Sequence, residues 1–95
     1  MDAELHRKKG ELLLVAAEPD VAGAEYEFRL AMDVARAQSA RLLELRAATS
    51  LARLWSAHGS QTAARELLQR MLPWFDAASA VPDLRAARAL APAIG

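Results

Sequence analysis

The chain has 95 residues, 54% of them hydrophobic and 25% charged, which suits one small folded domain and excludes a disordered tail. Its 23 Ala and 15 Leu stand against four Val, one Ile and two Thr, a balance that favours helix over sheet. Twelve basic and twelve acidic residues cancel, which gives no reason to expect general affinity for nucleic acid or anionic membrane, and zero cysteines exclude disulfides and thiolate metal sites.

The first helix is predicted from about Asp2 to Ala17, with Asp2 as its cap and Leu5, Leu12, Leu13 and Val15 as its apolar positions. The run Leu12 to Ala17 is too short for a signal-peptide core or a membrane span, so a soluble cytoplasmic protein is expected. Pro19 breaks the chain and Asp20 caps a second helix, Val21 to Ala37, where Ala24, Phe28, Ala31 and Ala35 share one face. Ser39 is the expected cap of a third helix, Ala40 to His58, with Ala48, Leu51, Ala52 and Trp55 as its stripe. Gly59 suits a left-handed turn, and Ser60 the cap of a fourth helix from Gln61 to about Phe75. Ala64, Leu67, Leu68, Met71 and Leu72 form its apolar face, and Pro73 should kink or stop it. Residues 76–80 read as loop. Pro82 opens a short fifth helix marked by Leu84, Ala87, Leu90 and Ile94, which Pro92 would fray.

One pattern occurs twice. Gly10 to Ala52 and Leu13 to Trp55 are both 42 residues apart, while Ala24 to Ala64 and Phe28 to Leu68 are both 40. The difference is a longer first turn, residues 18–23. A small residue at Gly10 or Ala52 lets the facing helix approach, and Phe28 or Leu68 fills the adjacent hole. The second copy, Leu51-Ala52-x-x-Trp55, Gly59, Ala64, Leu68 and Met71, resembles the tetratricopeptide repeat. Four segments in order also look like the C-terminal helical-repeat region of large bacterial signalling proteins that carry a nucleotide cyclase or regulator domain and a P-loop ATPase. These are residues 4–14, Phe28-Arg29-x-Ala31, residues 45–55 and Trp74-Phe75 with residues 82–90.

The resemblance implies one all-α domain over residues 1–95, a right-handed superhelix of two antiparallel hairpins, 2–37 and 40–76, with a terminal helix at 82–92. It implies a scaffold or regulatory module that binds a protein or peptide, without cofactor or metal and without the catalytic parts. No G-x-x-x-x-G-K-[ST] occurs. By register, Glu4, Arg7, Glu11 and Leu14 face the concave groove from the first hairpin, and Arg46, Thr49 and Arg53 from the second. Two arginines flanking a threonine suit an acidic peptide or carboxylate; the bland alternative is a solvated helix face. Arg53 stands where the family's carboxylate clamp has Asn, so that clamp is not expected.

Trp74 and Phe75, with Leu84 and Leu90, are candidate interface residues at the C-terminal end. Two repeats leave apolar ends open, so self-association is expected, as a two-fold dimer through that aromatic end. The charge is split: residues 1–33 hold eight acids and four bases, 34–95 four acids and eight bases. His6 and His58 lack partners at metal-ligand spacing and read as surface histidines. A helix-turn-helix DNA-binding protein is the alternative function, but residues 52–59 are a longer link than that motif usually has and the basic footprint is weak.

Overall fold

Asp2 starts the chain's first helix by accepting a hydrogen bond from the Glu4 amide (2.9 Å), and α1 spans Ala3–Val15. Asp20 does the same for α2, Val21–Ala37, through the Gly23 amide (2.9 Å). Helix α3 is Arg41–Ala57, α4 is Gln61–Met71 and α5 is Pro82–Leu90. The computed structural model describes residues 2–75 and 82–90; the expected loop at 76–80, Pro92 and Ile94 lie outside the described residues. Of the described residues 84% are helical and none is in a strand, so the fold is all-α.

The boundaries depart from expectation where local chemistry decides. Helix α1 stops at Val15, and the Asp20 amide folds back to the Leu13 carbonyl (3.0 Å). Pro73 ends α4 early: Leu72–Trp74 tightens into a 3-10 turn, closed by the Phe75 amide on the Leu72 carbonyl (3.1 Å). Proline has no amide to donate and its ring crowds the carbonyl four residues back.

Ser39 does not cap α3. It holds a left-handed backbone (φ 55°) just beyond α2, where its amide bonds to Arg36 and the Ala40 amide to Ala35. Gly59 (φ 89°) repeats this beyond α3, with bonds to Ser56 and from Ser60 to Trp55. Both turns are Schellman closures, which need a left-handed residue at that place. Neither Ala40 nor Ser60 then makes a side-chain cap.

The helices form two layers. α3 packs against both α1 and α5, while α2 and α4 share the other side without a close approach of their backbones. The molecule is only 18 Å in its thinnest direction, consistent with two helix layers 8–10 Å apart. The core lies between them. Phe28, Leu45, Leu51, Leu68 and Leu84 are its largest fully enclosed side chains, among small residues that include Ala24, Ala31, Ala35, Ala48 and Ala52. The close approach expected at Gly10 is present. A Cβ there would stand 2.5 Å from the Phe28 ring, so only glycine fits.

Helix α1 corrects its expected stripe. Its buried residues are Ala3, His6 and Gly10, whereas Leu5, Leu12 and Val15 face outward. Gly10 meets Phe28 and His6 meets Glu27 of α2, which turns Leu5 and Leu12 away, while Leu13 of the expected stripe does pack, partly buried, against the core. His6 is therefore not a surface histidine: it is buried, with Nδ1 2.8 Å from Glu27 Oε2. Trp55, on the expected stripe of α3, packs against the core but is not enclosed by it. It is half-buried, with its indole N–H donating to Glu25 and Arg29 above its ring.

Candidate functional site

The α2 and α4 backbones do not approach closely, and a groove runs between them with α3 as its floor. The cavity there is about 400 Å³. Leu51 and Trp55 of α3, Met32 of α2, and Leu67 and Met71 of α4 supply the apolar lining; Arg29, Asp33 and Arg36 form one rim, Arg70 the other. Trp74 closes the end near α3's start. The same stretch of sequence that stops α4 at Pro73 thus delivers Trp74 to the groove.

Two arginine–tryptophan stacks mark the ends. The Arg29 guanidinium lies 5.5 Å from the Trp55 ring centre, and that of Arg41 lies 4.9 Å from Trp74. Such stacks hold both the ring and the planar cation in place. Between them Glu44 is 3% exposed and takes two bonds from Arg36, at 2.9 and 3.1 Å. A carboxylate so enclosed needs a cation, and Arg36 is its partner. Arg36 is thereby paired, although 63% of its side chain stays exposed. Arg29 reaches Glu25 only at 3.8 Å, with over half its side chain exposed. Arg70, also exposed, stands across the groove.

The residues expected to line the concave face sit on the opposite side, along α1 and α3. Glu4 is gripped by Arg7 (3.0 Å) and by Arg46 (3.0 Å), and Arg7 also approaches Glu11 (4.0 Å). Burial pushes the Glu4 carboxyl up, but hydrogen bonds and charge from Arg7 and Arg46 outweigh it and hold it below the ordinary glutamate range. Arg46 therefore faces an acid of its own chain. Thr49 is buried, and its hydroxyl donates to the Leu45 carbonyl one turn back (2.8 Å). It presents nothing to a groove. Glu11, Leu14 and Arg53 do come together, in a shallow pocket of about 350 Å³ beside His58.

At the C-terminal end, Leu84 is interior at 1% exposed, and Leu90 and Phe75 are half-buried against the core. Helix α5 packs on α3, α4 and the 3-10 turn. Of the four expected interface residues only Trp74 is substantially exposed, at 42%. Sequence reasoning missed Arg29, Met32, Asp33, Arg36, Glu44 and Arg70 as a site. Arg29, Asp33 and Arg36 do recur at i, i+4 and i+7, a polar stripe bordering the alanine face of α2.

Among the described residues no group of three His, Asp or Glu could hold a metal ion, and no helix is long and apolar enough to cross a membrane. No protein family, curated protein or solved structure matches the chain.

Proposed function

We propose that this chain is a non-catalytic interaction or regulatory module that takes a protein or peptide segment in the α2–α4 groove. The observation that carries the reading is the groove itself: an apolar lining with Arg29 and Arg70 on opposite rims and a tryptophan at each end. Tryptophan and arginine dominate binding energy at protein interfaces, and an exposed guanidinium prefers a carboxylate partner. The segment that fits is short and acidic, with one apolar side chain seated between flanking carboxylates. The α1–α3 face fits such a segment less well, because Glu4 already occupies Arg7 and Arg46. The twice-written helical pattern supports a tetratricopeptide-like module, and its four ordered segments support an origin in the C-terminal repeat region of a cytoplasmic bacterial signalling protein.

Selection of peptides from a random library displayed on phage tests this with the full chain. The selected peptides should share an acidic pattern around an aromatic or aliphatic anchor. Changing both Arg29 and Arg70 to Glu should abolish their binding while the helical circular dichroism stays as in the parent. Peptides without acidic residues, or peptides held equally by the doubly changed chain, would remove this reading.

A further inference from the structure

Glu25 lies on α2 one turn before Arg29 and outside the groove lining, yet it touches both groups that mark the Trp55 end of the groove. Its Oε1 accepts the Trp55 indole N–H from α3. The same oxygen stands 3.8 Å from the Arg29 guanidinium, which itself lies 5.5 Å from the Trp55 ring centre. Acid, cation and ring thus close a triangle. Trp55 lines the groove on one side and, on the other, a shallow pocket over α4 with Ala63, Glu66 and Gln69. A turned indole would move the wall between the two, and the bond to Glu25 fixes which way the ring faces. No indole hydrogen bond holds Trp74 among the described residues; its ring has the Arg41 stack and is 42% exposed.

We propose that Glu25 is a positioning residue for the groove: by holding the Trp55 indole it sets, before any partner arrives, the ring and the stacked Arg29 that the partner meets. The inference rests on the groove reading above. Ordering a side chain at an interface costs affinity, and a ring already fixed avoids that cost. The sign of the effect separates it from simple electrostatics. A carboxylate beside a groove for acidic segments repels them, so loss of its charge alone should tighten binding. Loss of its hold on the indole should weaken binding. Glu25→Gln parts the two effects, because the amide keeps a carbonyl oxygen for the indole N–H and drops the charge. Glu25→Ala drops both. Alanine is the better helix former and the Glu25 side chain is 38% exposed, so the fold should hold.

Isothermal titration of the full chain with an acidic peptide selected on the parent decides it, with helical circular dichroism and indole nitrogen-15 signals recorded alongside. Glu25→Ala should weaken binding by about three- to tenfold. It should also move the Trp55 indole signal of the free chain while that of Trp74 stays. Glu25→Gln should bind as the parent does or more tightly, with the Trp55 signal near its parental position. In a Trp55→Phe background, which keeps a ring under Arg29 but has no N–H, Glu25→Ala should no longer weaken binding. Parental or tighter binding by Glu25→Ala, equal losses in the two Glu25 variants, or an undiminished loss in the Trp55→Phe background would overturn the proposal. The chain with both Arg29 and Arg70 changed to Glu marks the other failure. If it holds the peptide as the parent does, the groove reading falls and this inference with it. If it loses the peptide while Glu25→Ala does not, the role of Glu25 alone falls.

Discussion

Gly10 and Phe28 are the pair on which the first hairpin turns. A methyl group at Gly10 meets the ring at 2.5 Å, and the ring is wholly buried with no room to withdraw. Two effects compete in Gly10→Ala. Helix propensity favours alanine by about 1 kcal/mol, while overpacking a closed core costs about 1–3 kcal/mol. The enclosed ring decides for the second, so a net loss of about 1 kcal/mol is expected in urea unfolding, against a gain if the helices could part. Ser39 offers the reverse case. A serine at φ 55° is strained where Gly59 is not, so Ser39→Gly should stabilise the chain by up to about 1 kcal/mol in the same assay. The Gly10–Phe28 contact was legible in the sequence, because the repeated spacing placed both residues against Ala52 and Leu68. Ser39 was misread because serine before a helix suggests an N-cap. The preceding helix claimed that position first, for its own Schellman closure.

At the scale of elements, α1 is tied to α3 by Glu4. Arg7 lies on the same helix, but Arg46 reaches across from α3 at 3.0 Å. The Glu4 carboxyl is held below its ordinary range in the folded chain. A depressed carboxyl contributes stability that is fully present above its unfolded value and is lost as pH falls through its folded value. The chain should therefore lose stability on acidification through and below the usual glutamate range. Urea unfolding at stepped pH should show the parent exceeding Glu4→Gln at neutral pH, with the difference shrinking below that range. A difference independent of pH would mean that the Arg46 bond carries no weight. The apolar stripes of α2 and α4 could be read from spacing alone, since alanine and leucine recur at helical intervals. In α1 the same rule failed. Leu5 and Leu12 are on the outside, Leu13 and Leu14 pack only partly against the core, and the buried residues are Ala3, His6 and Gly10, which carry little hydrophobic signal.

The whole molecule explains why the fold was more legible than the site. Helices announce themselves within a dozen residues, so the five elements and the all-α class followed from composition and punctuation. The groove needs α2 and α4 held apart by α3, and no local pattern records a gap between non-adjacent helices. Nor does anything in the neighbouring sequence mark Glu44 as the acid that will be enclosed and will claim Arg36. The concave-face residues were placed by register alone, which could not show that Glu4 meets Arg46 or that Thr49 turns its hydroxyl to its own backbone.

The central claim is that partners bind between α2 and α4, and the two tryptophans make it directly observable. The chain has two indole N–H groups, Trp55 and Trp74, one near each end of the groove. In nitrogen-15 NMR, titration with an acidic peptide from the library selection should shift both indole signals together with the amides of Arg29 and Arg70. The amides of Glu4, Arg7, Arg46 and Arg53 should stay in place. Shifts confined to those four residues and the pocket of Glu11 and Leu14, with both indoles unmoved, would contradict the account.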